Sequence, residues 1–333
     1  MPTKPRSEIF DPLEVGVYHC WNRLVRRRFL FGFDRLTGKE FGYRKAWVRE
    51  RLKQLAGAMA IDVLDYAILD NHLHVVLRNR PDIVAAWSDQ EVAERWWQVC
   101  PARRNPDGSA ADPLPAELHM LAANADEYRS RLSDISWMMR LLCQPIARRA
   151  NQEDQVDGRF FAKRFDCNRL ESEADVLACS LYVDLNAVHA GIVDTPEKSE
   201  FTSAFDRIRA RWQSVGSELG EVGLLSCSGS GSDEWLAPLQ LDEKAEDYTS
   251  PQASCNPIRS ARISNKGFLP MTIEQYLSLL DTIGRMVRSG KRGRIPPELP
   301  PILRRLTADV DSWLDGLFQR FARQSLQPAV ANT

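Results

Sequence analysis

Two histidines and a tyrosine–asparagine pair are the residues through which this chain could do chemistry. His72-Leu73-His74 stands in an apolar, β-prone run. Side chains alternate along a strand, so both imidazoles project from one face while Leu73, Val75 and Leu77 enter a core on the other. Two imidazoles held side by side make half of a divalent metal site. A half-buried pair of strand-edge histidines would read the same way. Tyr182 and Asn186 lie four residues apart in a stretch that reads as helix, one turn apart and adjacent. Asn186 offers a neutral oxygen, a fair ligand for a hard cation. With His72 and His74 it gives three protein ligands and leaves positions for a substrate oxygen and water. A tyrosine hydroxyl is a weak nucleophile at neutral pH. Beside a metal that polarises a phosphate its attack becomes reasonable, and the phosphotyrosine bond would keep the energy of the broken diester for rejoining. Core packing is the alternative use of Tyr182, although its position lies off the apolar stripe.

The elements around these residues can be placed in order. Val15–Arg23 reads as a first strand, and 41–56 as a helix ended by Gly57. Two strands follow, 61–69 and 72–78, joined at Asp70-Asn71, a pair that tolerates the positive φ of a tight turn. Between 79 and 126 the pattern breaks into a short helix at 88–100 and a Pro-, Asp- and Asn-rich stretch. Trp96 and Trp97 there could stack on bases but better suit a small helical core. A long helix spans 125–150 with Pro145 expected to kink it. The aromatic-basic run Gly158–Phe165 leads into a last strand, 165–170. Ser172 then caps a helix over 173–190 closed by Gly191, with Val176, Cys179, Val183, Ala187 and Ala190 buried. A further helix is expected over 201–215, and a Ser/Gly-rich and polar linker over 226–265. A Thr272-capped helix runs to Arg288, and a last amphipathic helix carries Leu306, Val310, Trp313, Leu317 and Phe321.

The composition excludes several classes. Hydrophobic residues at 44% and charged ones at 27% are ordinary for a globular protein, and 333 residues allow two domains or one with large insertions. No apolar run is long enough for a membrane span, and the polar start lacks a signal-peptide core, so a cytoplasmic, nucleoid-associated protein is expected. The seven cysteines include no Cys-x-x-Cys pair, which argues against a disulfide framework or a cysteine zinc site. A net charge of −1 hides basic clusters at 23–28, 44–53, 159–169 and 288–294, any of which could hold a polyanion. Solvated helix surface is the plain alternative for each.

Four separated pieces together resemble the HUH single-tyrosine transposases, in particular the REP-associated tyrosine transposases. They are Asn22-Arg23 at the end of the first strand, Asn71-His72-Leu73-His74, the Gly158–Arg164 run, and Tyr182-Val183-Asp184-Leu185-Asn186-Ala187-Val188-His189-Ala190-Gly191. The resemblance implies an α+β fold, a ferredoxin-like or RRM-like antiparallel sheet with packed helices (the HUH endonuclease fold). That domain would be made of 1–78 and 130–196, with an insertion at 79–129, a linker and partly helical region at 197–265, and a helical C-terminal region at 266–333. It also implies Mg2+ or Mn2+ held by His72, His74 and Asn186, with Tyr182 as nucleophile. The expected substrate is single-stranded DNA with a hairpin, nicked to leave a 5′-phosphotyrosine and a free 3′-OH. Arg23, Arg159, Lys163, Arg164 and His189 would contact the DNA, with Phe160 or Phe161 available for stacking.

The chain departs from the family where the helix commonly reads Asn-Pro-Val-Arg/Lys, since Ala187 and His189 stand here. His189 would either replace a phosphate-contacting base or favour the negative helix end. Two other functions fit the same residues: a nucleic-acid-binding protein without catalysis, and a metal-dependent hydrolase that uses the His-x-His pair and water. The donor set would also accept zinc, nickel or cobalt. A monomer and a homodimer are equally open.

Overall fold

A computed structural model describes residues 9–25, 28–106, 108–218, 232–241, 247–251, 255–287 and 290–306. In chain order its elements are β1 (Val17–Arg23), β2 (Phe33–Asp34), β3 (Lys39–Glu40), α1 (Arg44–Ala58), β4 (Ile61–Ile68) and β5 (His72–Asn79). Then come α2 (Pro81–Ala86), α3 (Asp89–Val99), α4 (Pro115–Ala122), α5 (Ala125–Leu132), α6 (Ile135–Asp154), β6 (Asp166–Leu170), α7 (Glu173–Asp184), α8 (Asn186–His189), α9 (Ser203–Glu218) and α10 (Ile273–Arg285). The fold is mixed α+β. One four-stranded sheet runs in the order β4-β5-β1-β6, every neighbouring pair antiparallel.

Strand alternation gives this sheet two faces. Tyr18, Cys20, Leu73, Val75 and Leu77 enter one core with Val48, Leu52 and Leu55 of α1 and Met138, Met139 and Leu142 of α6. Val17, Leu64, Ala67 and Val76 enter a second core with Val176, Leu181 and Val183 of α7 and Tyr276, Leu277 and Leu280 of α10. His72 and His74, in phase with Val76, belong to the α7 face. A bulge between Val63 and Asp65 shifts the phase of β4. It turns Asp65 to the α7 side, where its carboxylate accepts from Ser180 Oγ and from Arg207 Nη1 at 2.6 Å.

Several expectations need correction. The turn at Asp70-Asn71 closes with Leu69 N donating to His72 O at 2.9 Å, yet neither residue has a positive φ. It is braced instead by neighbours: Phe31 N and Leu24 N donate to the carbonyls of Asp70 and Asn71, and Lys45 Nζ lies 2.7 Å from the Asp70 carboxylate. Gly57 does not end α1, which runs to Ala58; a Cβ on Gly57 would lie 2.5 Å from Ser260 O, so its role is close packing. The helix expected over 125–150 is two, because Asp134 stops α5 and caps α6 by accepting from Ser136 N and Trp137 N. Pro145 sits inside α6 without ending it. Trp96 and Trp97, by contrast, are buried in the core packing expected of them, Trp96 stacked on Tyr128 at 4.9 Å.

The stretch 226–265 is not a spacer where it is described. Trp235, Leu236 and Ala237 are buried, Trp235 packs on Tyr66 with ring centroids 5.0 Å apart, and Ala237 N donates to Val63 O at 2.9 Å. Polar composition concealed these few apolar anchors. The Thr272-capped helix ends at Arg285 rather than Arg288. The last amphipathic helix lies outside the described residues beyond Leu306. No described helix is long and apolar enough to cross a membrane.

Asp206 of α9 is buried and accepts the Tyr66 hydroxyl at 2.8 Å. Burial pushes its carboxyl up to about 6 from an ordinary value near 3.8. The folded state therefore keeps this proton to higher pH than the unfolded chain. The resulting stabilisation is complete below about pH 4 and is lost as pH rises through 6, roughly 3 kcal/mol in all. Asp206→Asn should remove it. Wild-type stability minus that of the variant, from urea unfolding, should fall by that amount between pH 4 and 7; a flat difference would refute the burial argument.

Candidate active site

Antiparallel pairing of β5 with β1 sets Arg23 opposite His72 and Trp21 opposite His74. His19, two residues before Trp21, shares their face, and it is the residue that the sequence reading missed. Its Nε2 lies 2.9 Å from His74 Nδ1, with the two rings stacked at 5.1 Å. The His72 and His74 rings stand edge to face at 4.9 Å. The alternation Val17, His19, Trp21, Arg23 was the available signal, because it marks His19 as facing the same way as an exposed arginine.

Tyr182 closes the group from above. Its ring meets His74 edge-on at 5.6 Å and His19 at 6.2 Å. It stands in the last turn of α7, half-buried at the rim of the second core. The helix expected to run unbroken to Ala190 is divided at Leu185 into α7 and α8. Leu185 N still donates to Leu181 O, and His189 N to Leu185 O, so the one-turn step from Tyr182 to Asn186 survives the break. Gly191 at φ +69° ends α8 as expected. Asn186 is 5% exposed, and its Nδ2 has no hydrogen-bond partner among the described residues.

The basic candidates separate into groups. Arg23, Arg159, Lys163 and Arg164 are all exposed. The run 159–164 continues the sheet edge, with Ala162 N donating to Arg23 O at 2.8 Å and Val25 N to Phe160 O at 3.0 Å. Lys163 pairs with Asp166 at 2.7 Å. Phe160 is buried against Phe31, so it cannot stack on a base, whereas Phe161 is half-buried. His189 is 2% exposed and does not present its ring at the surface where the sequence placed it. A cation that the sequence did not connect with the site is Lys291, whose ammonium lies 5.2 Å from the centre of the Tyr182 ring.

No family model matches the sequence, and no curated protein matches it. A solved structure of a REP-associated tyrosine transposase bound to a REP hairpin aligns with 63% of this chain and 87% of its own, at 13% identity and a TM-score of 0.36. This is a distant structural likeness and decides nothing about the site.

The electrostatics are those of a dry floor under a positive rim. Burial, aided by Arg23 and Lys291, lowers His72 to about 4; burial alone lowers His19 to about 4. His74 is pushed well below its ordinary value by burial and then by the two neighbouring imidazoles. All three rings are thus neutral near pH 7, the state in which an imidazole can ligate a metal. His72 Nδ1 lies 2.6 Å from Asn71 Oδ1; with that oxygen as acceptor, the proton sits on Nδ1 and the Nε2 lone pair is left open. Among the described residues no group of three or more His, Cys, Asp or Glu side chains could hold a metal.

The tautomer is checkable. Long-range 1H–15N spectra at pH 7 should show His72 neutral and protonated at Nδ1. Protonation at Nε2 would mean that the Asn71 contact does not orient the ring.

Proposed function

We propose that the chain nicks and rejoins single-stranded DNA, with Tyr182 as the nucleophile and a divalent cation bound by His72, His74 and Asn186. The observation that carries this reading is the convergence of Tyr182 on His74 at 5.6 Å, above a pair of neutral imidazoles on one strand. The topology supports it. The sequence of β1, α1, β4, β5, α6, β6 and α7, with sheet order β4-β5-β1-β6, is the ferredoxin-like arrangement expected of an HUH endonuclease.

The donors fit a cation. His72 Nε2 has its lone pair free, and the buried Asn186 amide has one end unsatisfied. Exchanging the amide oxygen and nitrogen, which differ only in assignment, would turn the oxygen to that end. Mg2+ or Mn2+ there would polarise a phosphate oxygen.

The residues of the chain do the rest. Tyr182 Oη attacks phosphorus and forms the P–O bond of a 5′-phosphotyrosine. The P–O3′ bond breaks and its electron pair goes to O3′. The proton lost by the phenol is balanced by the one that the departing 3′-oxygen gains. The reverse reaction with the same or another 3′-OH rejoins the strand. Exposed Arg23, Arg159 and Arg164 line the end of the sheet where the phosphates would pass. Hairpin-forming repeats, and so a transposase-like role, are the substrate class that this reading names.

The test is covalent capture. Labelled single-stranded hairpin DNA incubated with the protein and Mn2+ should give label that stays with the protein on a denaturing gel, and Tyr182→Phe should abolish it. Retention in Tyr182→Phe would move the nucleophile elsewhere; cleavage without any adduct in either protein would favour water as nucleophile. Metal binding has its own check. His74→Ala and Asn186→Ala should each weaken Mn2+ binding about tenfold or more by calorimetry, and unchanged affinity in both would remove the assigned centre.

A further inference from the structure

The C-terminal part of the chain returns to Tyr182. Arg292 N and Gly293 N both donate to the carbonyl of His189, at 3.1 and 3.3 Å. A Cβ on Gly293 would stand 2.2 Å from Val188 O and 2.9 Å from Gly191 Cα, so only glycine allows the segment to lie this close to α8. Two residues on, Ile295 is fully buried, and its N–H donates to Gly284 O of α10 at 2.8 Å. Backbone bonds and a buried isoleucine thus fasten residues 292–295 to α8, which follows the helix of Tyr182, and to α10. Lys291, Arg292 and Arg294 are nevertheless exposed. Three cations that face outward from a fixed backbone are arranged to meet a polyanion.

We propose that residues 291–294 are a phosphate-binding arm of the Tyr182 site, with Lys291 on the phosphate next to the tyrosine and Arg292 and Arg294 on the neighbouring backbone phosphates of a single strand. This rests on the reading of the site as one that acts on single-stranded DNA. Over the ring face, the ammonium is held near the phenol by the aromatic quadrupole. A compact ammonium on a flexible stem can leave the ring for a phosphate oxygen a few ångström away. The lysine keeps its three protons and forms no covalent bond, and its effect on the attack is through charge alone.

The arm can be tested apart from the chemistry. Binding of a fluorescent single-stranded hairpin oligonucleotide to the full chain is measured by anisotropy against NaCl concentration. For single strands each lost phosphate contact reduces the slope of log affinity against log salt by about 0.7. Lys291→Met/Arg292→Met/Arg294→Met should therefore reduce the slope by about 2, with an unchanged melting temperature. Gly293→Val, which displaces the arm without removing charge, should weaken binding in the same direction. Lys291→Met alone should slow adduct formation roughly tenfold or more, the size expected for a lost charge-assisted bond, and Lys291→Arg should restore part of it. A slope and affinity unchanged in the triple variant overturn the arm, even where the wild type forms its adduct. A reduced slope with no adduct in the wild type keeps the arm and rejects the nicking reaction. A wild-type chain that fails to bind single-stranded DNA at low salt rejects both.

Discussion

Where Tyr182 stands depends on a buried charge cluster directly beneath its helix. Arg207 of α9 pairs with Asp65 of β4 at 2.6 Å and donates to Leu64 O. Asp184, two residues after Tyr182, accepts from Ala204 N at 2.9 Å and from the Tyr276 hydroxyl of α10 at 2.7 Å. Ser180 and Ser203 bridge to the two aspartates. One set of bonds thus joins β4, α7, α9 and α10. Buried ion pairs of this kind add little net stability, because desolvating both charges costs about what their attraction returns. What the cluster does fix is register: a slide or rotation of α7 would strip the buried Asp184 carboxyl of its hydrogen bonds from Ala204 N and Tyr276, at a cost of about 1–3 kcal/mol. The tyrosine is held over the histidines by those bonds together with the apolar contacts of Val176, Leu181 and Val183 in the second core.

The second constraint is strand parity. His72 and His74 on β5, and His19 and Trp21 on β1, share a face because both strands alternate and their register sets Trp21 opposite His74. A one-residue slip would send every imidazole into the core of α1 and α6. Val75, Leu77, Tyr18 and Cys20, all fully buried on that side, make the slip prohibitive. The apolar residues between the histidines therefore aim them.

This explains what could be read from the sequence and what could not. The sheet strands, the helix of Tyr182 and the His72/His74 phase are local patterns, since alternation, capping at Ser172 and the Gly191 stop all lie within a few residues of what they specify. His19 belongs with them by phase, but nothing in its own neighbourhood says which strand will lie beside it. Lys291 was visible only as one member of a basic cluster, more than a hundred residues from Tyr182. Its place follows from Gly293 and Ile295 docking on α8 and α10, a long-range fit with no periodic signature. The polar stretch before Thr272 misled for the related reason that Trp235, Leu236 and Ala237 are too few to form a pattern, though enough to anchor a segment.

The same long-range packing sets the chemistry at His74. Its Nδ1 and the Nε2 of His19 share one hydrogen bond, and either ring can supply the proton. Should His19 be the donor, a neutral His74 carries its own proton on Nε2 and has no lone pair to offer there. With His74 donating from Nδ1, its Nε2 is open and matches that of His72. A positive ion at the centre favours the second arrangement, because it withdraws electron density from His74 and strengthens the N–H donated to His19. With a cation bound, His19 would then act as the acceptor behind a histidine ligand, a task often done by a carboxylate or a backbone carbonyl. A neutral acceptor leaves the centre more positive than a carboxylate would. With Arg23 and Lys291 at the rim, that would suit the phosphate proposed as the incoming group, and it would disfavour tight binding of a cation in the absence of substrate.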